Sequence, residues 1–351
     1  SAFQEQLETL YSEREDFIAP RTRYNEALAF IRSGLRDVPL TRHKLTWGVP
    51  VPWDPEHVFY VWYDALVNYI SAIGFRADED RFSAWWPSVH HLLGKDIIRF
   101  HCVWWPAMCM AAGIDPPRHY LVHGFLLVGG KKMGKTAFNQ VDPVELGEDV
   151  GNDALRHYLV RDFPLGGDGE FTYEAMIERY NADLANNLGN LFSRVATVVG
   201  SKCAGIGPPP RRDLSDTPAG TRLAKTASAV TAEVGRAWDR YAPHEALEAV
   251  WRLIRAANSE LEEAEPWKLE PGPEVDAVLG DALEVLRIVA VLVSPVLPDT
   301  AREIWVRLGI EGSPDAPGNA GPDGVTGWGG YPGGVPVTKG TPLFPRRKAE
   351  V

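Results

Sequence analysis

The sequence predicts an α/β region followed by an all-α region. Between residues 58 and 128, apolar runs of strand length alternate with helical stretches, which is the pattern of a parallel sheet. After Gly166 the apolar residues recur every three or four positions, as they do on one face of an amphipathic helix. The 351 residues include 45% apolar and 24% charged side chains, so there is room for two domains with ordinary cores.

Composition excludes several classes of protein. The three cysteines form no CxxC pair, which argues against a disulfide scaffold, gives no zinc signature and favours a reducing cytoplasm. With a formal net charge of −11, any nucleic-acid binding must rely on local basic patches. No stretch is apolar enough for a membrane span or a signal peptide. Because Ser1 opens an already helical pattern without an initiator methionine, we expect the chain to be a piece of a longer protein.

The α/β region consists of alternating elements. Residues 1–57 are predicted to form helices and loops. The run VFYVWYDA at 58–65 predicts a strand buried on both faces, because it is continuously apolar, and a helix follows it. The alternation repeats with a strand and turn at 88–96 and a helix at 97–113. A third apolar run at 119–128 predicts another strand, which leads into a loop rich in glycine and lysine.

A long amphipathic helix is predicted from Phe171 to Gly200. Thr172 is suited to cap its first turn and Gly200 to end it. Its apolar face consists of Ile177, Tyr180, Leu184, Leu188, Leu191 and Val195. Further helical stretches are predicted at 221–240, 244–264 and 275–308.

The loop Gly-Gly-Lys-Lys-Met-Gly-Lys-Thr at 129–136 fits two motifs. It matches the P-loop of nucleotide-binding ATPases, whose glycines open directly into a phosphate-binding helix. Pro143 would fall in the second turn of such a helix and destabilise it by about 3 kcal/mol, which disfavours the P-loop. The alternative is a mobile loop whose Lys132 and Lys135 neutralise phosphate charge during adenylyl transfer. A solvated hairpin tip without function would also explain these residues.

Five segments resemble the methionyl-tRNA synthetase family, in that family's order and at compatible spacings. They are VFYVWYDALVNYISAIGF, HHLLGKDIIRFHCVWWPAM, HGFLLVGGKKMGKT, YNADLANNLGNLFSRV and EPWKLE. The family belongs to the class I aminoacyl-tRNA synthetases, whose second signature is a Lys-Met-Ser-Lys-Ser loop after a sheet strand. Here the loop is Lys132-Met133-Gly134-Lys135-Thr136, with Gly134 and Thr136 in place of the usual serines. The resemblance implies the second half of a Rossmann-type parallel sheet followed by an α-helical anticodon-binding bundle.

The resemblance implies a methionine pocket at Trp62, Ala65, Tyr69, Ile97 and His101. The predicted elements support this pocket in part, because Trp62 would lie at the end of a strand, where α/β folds bind ligands. Tyr69 follows at helical spacing, and His101 lies four residues after Ile97. Aromatic rings also make favourable contacts with a thioether sulfur. Without the resemblance, these aromatic and histidine side chains would more often be core residues.

An ATP site and an anticodon site are implied as well. The ATP-binding residues would be Gly94, Asp96, His123, Gly124, Lys132, Met133 and Lys135. Lys132 and Lys135 would be catalytic, stabilising charge on the phosphates with Mg²⁺ assisting. Asn190, Arg194 and Trp267 would read the anticodon of tRNA(Met), since the first two share a helix face and the third can stack on a base. A helix-capping aspartate and a core-anchoring tryptophan are the alternatives without function.

The implied activity is that of a methionine–tRNA ligase, which uses ATP to convert methionine to methionyl-adenylate and transfers it to tRNA(Met). The family's first signature, first strands and inserted domain, which often holds zinc, are absent from this sequence. We therefore expect an incomplete catalytic unit, whose missing half is supplied upstream in the same chain or by another chain. The alternatives are a synthetase-like paralogue that activates an amino acid for small-molecule biosynthesis, and a non-catalytic tRNA-binding module.

Four regions follow from these expectations. Residues 1–57 would be the end of the connective insertion and a linker, and 58–166 the second half of the catalytic domain with the signature loop. Residues 167–310 would form the anticodon-binding domain. Residues 311–351 are rich in glycine and proline, which predicts a loop or a poorly ordered tail.

Overall fold

The chain forms two compact units in the computed structural model, which describes residues 1–134, 138–212, 218–316 and 326–348. The first unit consists of Ser1–Phe125 and Leu165–Asp168, and the second of Leu126–Pro164 and Gly169–Val351. Residues 126–164 thus group with the helical region, whereas the predicted boundary between the catalytic and helical regions lies after residue 166.

The first unit combines helices with two small sheets. Its elements are α1 (Gln4–Glu13), β1 (Ile18–Ala19), α2 (Arg21–Arg32), β2 (Thr41–His43), β3 (Pro50–Val51), β4 (Asp54–Phe59), α3 (Val61–Ser71), α4 (Glu79–Trp85), β5 (His90–Gly94), α5 (Trp105–Ala112) and β6 (His119–His123). β1, β6 and β5 form a parallel sheet in that order, and β2, β4 and β3 form an antiparallel one. His90 pairs with His119 and Gly94 with His123, so β5 and β6 end side by side.

The predicted strand at 58–65 is wrong. β4 ends and α3 begins within this run, and β4 lies in the antiparallel sheet. Its apolar residues belong first to a strand end and then to the first turn of a helix. A short apolar run cannot by itself distinguish a buried strand from a buried helix. Trp62 therefore lies on α3 and not at the end of a strand.

The predicted strand at 119–128 is two strands in two sheets. Its first half is β6, and its second half is β7 (Leu126–Val128) of the second unit. The break lies at Gly124, where a Cβ atom would be 1.9 Å from the carbonyl oxygen of Gly167. Only glycine permits two backbone segments to approach this closely.

The core of the first unit is aromatic around its parallel sheet. The Phe17 ring lies edge-on to Tyr11 of α1 and Tyr120 of β6, with centroid distances of 5.6 and 5.0 Å. All three rings are fully buried, and edge-to-face pairs of this kind add to the stabilisation from burial alone. The packing fixes β6 against α1 and so fixes the strand ends that carry candidate ligand-binding residues.

The second unit is mostly helical. Its elements are β7, β8 (Lys131–Lys132), α6 (Pro143–Val150), α7 (Asn152–Asp162), β9 (Gly169–Glu170), α8 (Tyr173–Arg179), α9 (Asn190–Lys202), β10 (Ile206–Gly207), α10 (Pro218–Asp239), α11 (Pro243–Ala264), α12 (Pro273–Val293), α13 (Pro298–Arg307) and β11 (Val335–Pro336). β8, β7 and β9 form a small sheet, and β10 pairs with β11. Among the described residues, no helix is long and apolar enough to cross a membrane.

The long amphipathic helix confirms its predicted face. α8, a π-helical stretch (Tyr180–Gly189) and α9 follow one another without a break. Every residue of the predicted apolar face is at most 5% exposed. The Thr172 hydroxyl accepts the N–H of Ala175 at 3.1 Å, as predicted for the N-cap. Gly200 does not end the helix, which continues to Lys202 because the backbone of Gly200 stays helical.

The predicted helix at 275–308 is two helices, α12 and α13. α13 begins with Pro298, which has no N–H to continue the hydrogen bonding of α12.

The described part of the glycine- and proline-rich tail is more ordered than predicted. Tyr331 is fully buried, and the consecutive amides of Gly329, Gly330 and Tyr331 donate to the Glu284 carboxylate at 2.7, 3.0 and 2.7 Å. Arg287 pairs with the same carboxylate at 2.8 Å, and both side chains are buried in α12. This buried pair anchors a segment whose composition alone indicates a loop.

Candidate active site and nucleic-acid interface

Five candidate residues lie on two helical segments that contact each other in the first unit. Trp62, Ala65 and Tyr69 share one face of α3, because they are spaced at i, i+3 and i+7. Ile97 and His101 lie one turn apart on the segment between β5 and α5. The structure therefore brings together the residues that the resemblance assigns to a methionine pocket.

Ring contacts join the two segments. The Trp62 indole stacks on Phe100 with ring centroids 3.8 Å apart and planes 11° apart, and its centroid lies 5.9 Å from that of His101 with the planes at 87°. Phe100 begins a π-helical turn, a feature that is frequent at functional sites. Trp62 is half-buried and Tyr69 is 36% exposed. The rings of Trp62 and Tyr69 are therefore partly accessible at the border of the core and are not sealed inside it.

His101 is buried and uncharged. Its Nδ1 lies 3.1 Å from the carbonyl oxygen of Ile97, and because a carbonyl only accepts, Nδ1 carries the proton. Nε2 then accepts the Tyr69 hydroxyl at 3.0 Å. Burial lowers the pKa of His101 below its ordinary value. A cluster of aromatic rings and a neutral histidine suits an uncharged ligand side chain.

Two buried residues, His91 and Trp105, contact Tyr69 and are absent from the sequence-based assignment. The buried Nε2 of His91 accepts the indole N–H of Trp105 at 3.2 Å, so Nε2 is unprotonated. The His91 ring lies 4.3 Å from that of Tyr69. Burial, and then the neighbouring His101, lower the pKa of His91 to about 4. The one sequence signal is that His91 alternates with the buried Leu93 along β5.

The candidate ATP-binding residues of the first unit meet at the carboxyl edge of the parallel sheet. Gly94 ends β5 and pairs with His123, which ends β6. Asp96 follows Gly94 closely, since its Oδ1 lies 2.9 Å from the place that a Gly94 Cβ would occupy. His123 donates from Nδ1 to the carbonyl oxygen of Gly124 at 2.7 Å. Ligands of α/β sheets bind outside this edge, so the position suits a nucleotide.

An ion pair that the sequence does not reveal lies at the same edge. The Lys95 ammonium is 2.6 Å from Oδ2 of Asp168 and 4.6 Å from the centre of the Phe125 ring. Oδ1 of Asp168 accepts the N–H of Phe125 at 2.9 Å. The Lys95 hydrogen bond, and then that from Phe125, lower the pKa of Asp168. Lys95 and Asp168 are 73 residues apart, so no local pattern indicates the pair.

The lysine-rich loop is a hairpin in the second unit. Gly129 and Gly130 have φ angles of 60° and 73°, which a two-residue turn of type I′ requires, and they connect β7 to β8. These glycines serve a turn between strands and do not open a helix. Lys132 is exposed, and Met133 is half-buried against the core of this unit. Lys135, the second predicted catalytic lysine, lies outside the described residues.

The chain after this loop confirms that the P-loop interpretation does not apply. Asn139 Oδ1 accepts the N–H of Gly134 at 3.0 Å, and residues 138–142 contain no helix. α6 begins at Pro143, capped by the side chain of Asp142. Residues 138–142 therefore do not form a helix whose first amides could bind a phosphate.

A tryptophan and an arginine meet at the candidate anticodon site of the second unit. The Arg194 guanidinium lies 4.9 Å from the centre of the Trp267 ring, a cation–π distance. Its Nη1 is 3.2 Å from Oε1 of Glu262, which the sequence-based assignment does not include. Trp267 remains 38% exposed, and Asn190 lies one helical turn before Arg194. The site therefore offers an accessible ring, a cation and an amide.

No group of three or more His, Cys, Asp or Glu side chains that could hold a metal ion occurs in the parts of the chain that the structure describes.

The sequence profile of the family "tRNA synthetases class I (M)" matches residues 1–196. The methionine–tRNA ligase of Streptomyces coelicolor is 39% identical over 353 residues, which cover 99% of this chain and 65% of that protein. That of Mycobacterium tuberculosis is 42% identical over 316 residues, covering 88% of this chain and 60% of that protein. The chain thus spans less than two thirds of the length of these relatives.

Solved structures give the same result. The M. tuberculosis methionyl-tRNA synthetase in complex with methionyl-adenylate aligns with a TM-score of 0.88 at 40% identity, covering 99% of this chain and 67% of that one. The apo form of that enzyme aligns with a TM-score of 0.84 at 38% identity, covering 100% of this chain and 68% of that one. Since the family profile covers more than half of its residues, the chain belongs to the methionyl-tRNA synthetases of class I.

Proposed function

We propose that the protein containing this chain is a methionine–tRNA ligase, which activates methionine with ATP and transfers it to tRNA(Met). The observation that carries the proposal is the partly accessible cluster of aromatic rings around the neutral His101. The same residues in a sealed core would have indicated a structural role only.

The methionine side chain would lie against Trp62, Tyr69 and His101. A thioether is polarisable, and its contacts with aromatic rings contribute about 0.3–1.5 kcal/mol each. Because His101 is uncharged and its Nε2 already accepts the Tyr69 hydroxyl, the pocket holds no charge that would favour an ionic side chain. Ala65 and Ile97 would complete the apolar wall.

ATP would bind at the carboxyl edge of the parallel sheet, near Gly94, Asp96, His123 and Gly124. The methionine carboxylate oxygen attacks the α-phosphorus of ATP, forming an O–P bond, while the bond to the leaving pyrophosphate breaks. A hydroxyl of the terminal tRNA ribose then attacks the methionyl carbonyl, and AMP leaves.

Lys132, Met133 and Lys135 would contact the phosphates of ATP. Two lysine charges would stabilise the negative charge that develops on phosphate oxygens during adenylyl transfer. Mg²⁺ would neutralise further phosphate charge, and it is commonly held by the phosphates of the substrate with one or two carboxylates. That mode of binding does not require a three-ligand protein site.

Methionine-dependent exchange between ATP and pyrophosphate tests the activation step. The full-length protein is compared with Trp62→Ala, which should raise KM for methionine about tenfold or more by removing a ring from the pocket. Trp85→Ala is the matched control, because this tryptophan lies on α4 and is 63% exposed. Absence of exchange in the full-length protein would contradict the ligase and favour a non-catalytic tRNA-binding module.

Charging of tRNA(Met) tests the transfer step. Trp267→Ala should lower kcat/KM for tRNA about tenfold or more, since base stacking on an aromatic ring contributes about 1–3 kcal/mol, and should leave exchange unchanged. Trp238→Ala is the control, because its 37% exposure matches the 38% of Trp267. Exchange without any charging of tRNA would instead support a paralogue that serves small-molecule biosynthesis.

A further inference from the structure

We propose that Lys95 and Asp168 are additional residues of the nucleotide site: Lys95 contacts a phosphate group of the nucleoside triphosphate, and Asp168 positions its ammonium. The inference rests on the proposed function for the identity of the nucleotide, and it adds two residues to the site.

The location of Lys95 supports a ligand-binding role. It stands between Gly94 and Asp96, directly after β5, and β5 ends beside His123 of β6. Its side chain is only 24% exposed, which is low for a lysine on a short turn. A cation is thus held at the sheet edge where α/β folds bind ligands.

Asp168 holds this cation through a carboxylate that is itself fixed. One carboxylate oxygen accepts the Phe125 amide at 2.9 Å and the other accepts the Lys95 ammonium at 2.6 Å. The preceding residues are also anchored within the first unit. Arg23 donates to the carbonyl oxygen of Gly166 at 2.9 Å, and Gly167 packs directly against Gly124. The carboxylate therefore has a defined place although its side chain is 34% exposed.

The pair leaves the ammonium able to bind an anion. An ammonium has three N–H donors, and the hydrogen bond to Oδ2 of Asp168 occupies one of them. The Phe125 ring, 4.6 Å away, limits the other positions that the ammonium can take. Restricting a long side chain before the ligand arrives reduces the entropy lost on binding. Asp168 thus strengthens the interaction of Lys95 with a phosphate without touching the nucleotide.

The experiment uses the full-length protein and measures the Kd of a non-hydrolysable ATP analogue together with the KM values for ATP and methionine in the exchange reaction. Lys95→Met keeps the length of the side chain and should weaken analogue binding and raise KM for ATP about tenfold, as expected for one lost charged hydrogen bond. Asp168→Asn should raise the Kd of the analogue and the KM for ATP by about threefold. Asp168→Glu, which keeps the carboxylate, should raise them less. KM for methionine should not change.

A double variant separates positioning from a merely structural role. If Asp168 acts through Lys95, Lys95→Met/Asp168→Asn should match Lys95→Met alone, whereas independent roles would give multiplied effects. Lys225→Met and Asp80→Asn, both on exposed helix positions, control for the change in charge.

Unchanged analogue binding in Lys95→Met, or multiplied effects in the double variant, would overturn the inference. A full-length protein that binds the analogue through Lys95 but lacks exchange would contradict the proposed function and leave this inference standing. A full-length protein that does not bind the analogue would overturn both.

Discussion

Replacing Glu284 by glutamine should detach the adjacent tail segment from α12. The buried carboxylate accepts hydrogen bonds from Arg287 at 2.9 and 2.8 Å and from the amides of Gly329, Gly330 and Tyr331 at 2.7–3.0 Å. Glutamine has a similar volume but no charge, and its amide nitrogen is a donor where only donors are present. Arg287, which is 1% exposed, would lose the negative charge of Glu284. Breaking a buried pair in this way destabilises a protein by about 3–5 kcal/mol.

Hydrogen–deuterium exchange of peptides from residues 326–348 measures this loss. A decrease of about 3 kcal/mol in the free energy of local opening would accelerate amide exchange about 100-fold. The control is Asp299→Asn, which breaks a pair with Arg302 whose side chains are 77% and 51% exposed and should change stability by less than about 1 kcal/mol. Equal protection in wild type and Glu284→Gln would refute the idea that this carboxylate holds the tail. Glu284→Leu/Arg287→Leu should recover only part of the loss, because three amides remain without their acceptor.

Three further substitutions test the sites. Because folding lowers the pKa of His91 to about 4, the unfolded chain binds a proton at this residue more readily. The free energy of unfolding of the first unit should therefore decrease by up to about 3 kcal/mol as the pH falls from 6.5 to 4. In His91→Gln, whose side-chain oxygen can still accept the hydrogen bond from Trp105, the denaturant midpoint should depend less on pH. Tyr69→Phe removes the hydroxyl that donates to the buried Nε2 of His101. In the ATP–pyrophosphate exchange reaction, KM for methionine should rise about fivefold or more, while KM for ATP stays constant. An unchanged KM for methionine would exclude a role for this hydrogen bond. Gly134→Ser introduces the residue that the family usually carries, and its Cβ would lie within 4 Å of no described atom. The free energy of unfolding should therefore change by less than about 0.5 kcal/mol in thermal unfolding. A rate of ATP–pyrophosphate exchange below that of wild type would contradict the proposed role of the loop.

Local patterns predicted the elements whose burial repeats along one face. The face of the helix beginning at Tyr173 followed from spacings of three and four, because a helix buries one side with that period. The cap at Thr172 followed from hydrogen bonding within one turn. The hairpin with Lys132 was only one of the alternatives for its loop, although its two glycines meet the demands of the turn they occupy.

The run at 58–65 shows where such patterns fail. Apolar residues at a strand end and in a first helical turn give the same letters as one buried strand, and the backbone pairing partner decides between them. β4 pairs with β2 and β3, which are antiparallel to it, and no periodicity within 58–65 identifies those partners. The candidate residues for methionine binding rest on the resemblance, which does not depend on the secondary structure of Trp62.

The sequence by itself determined the family, the long helix with its buried face and the lysine loop, because each depends on residues that are close along the chain or on motifs in a fixed order. Only the tertiary structure decided that Lys95 meets Asp168, that the Trp105 indole donates to the buried His91, and that Glu284 anchors the tail. These contacts join residues 73, 14 and 47 positions apart. Their strength comes from burial and from fixed hydrogen-bond partners, which exist only after the units have folded.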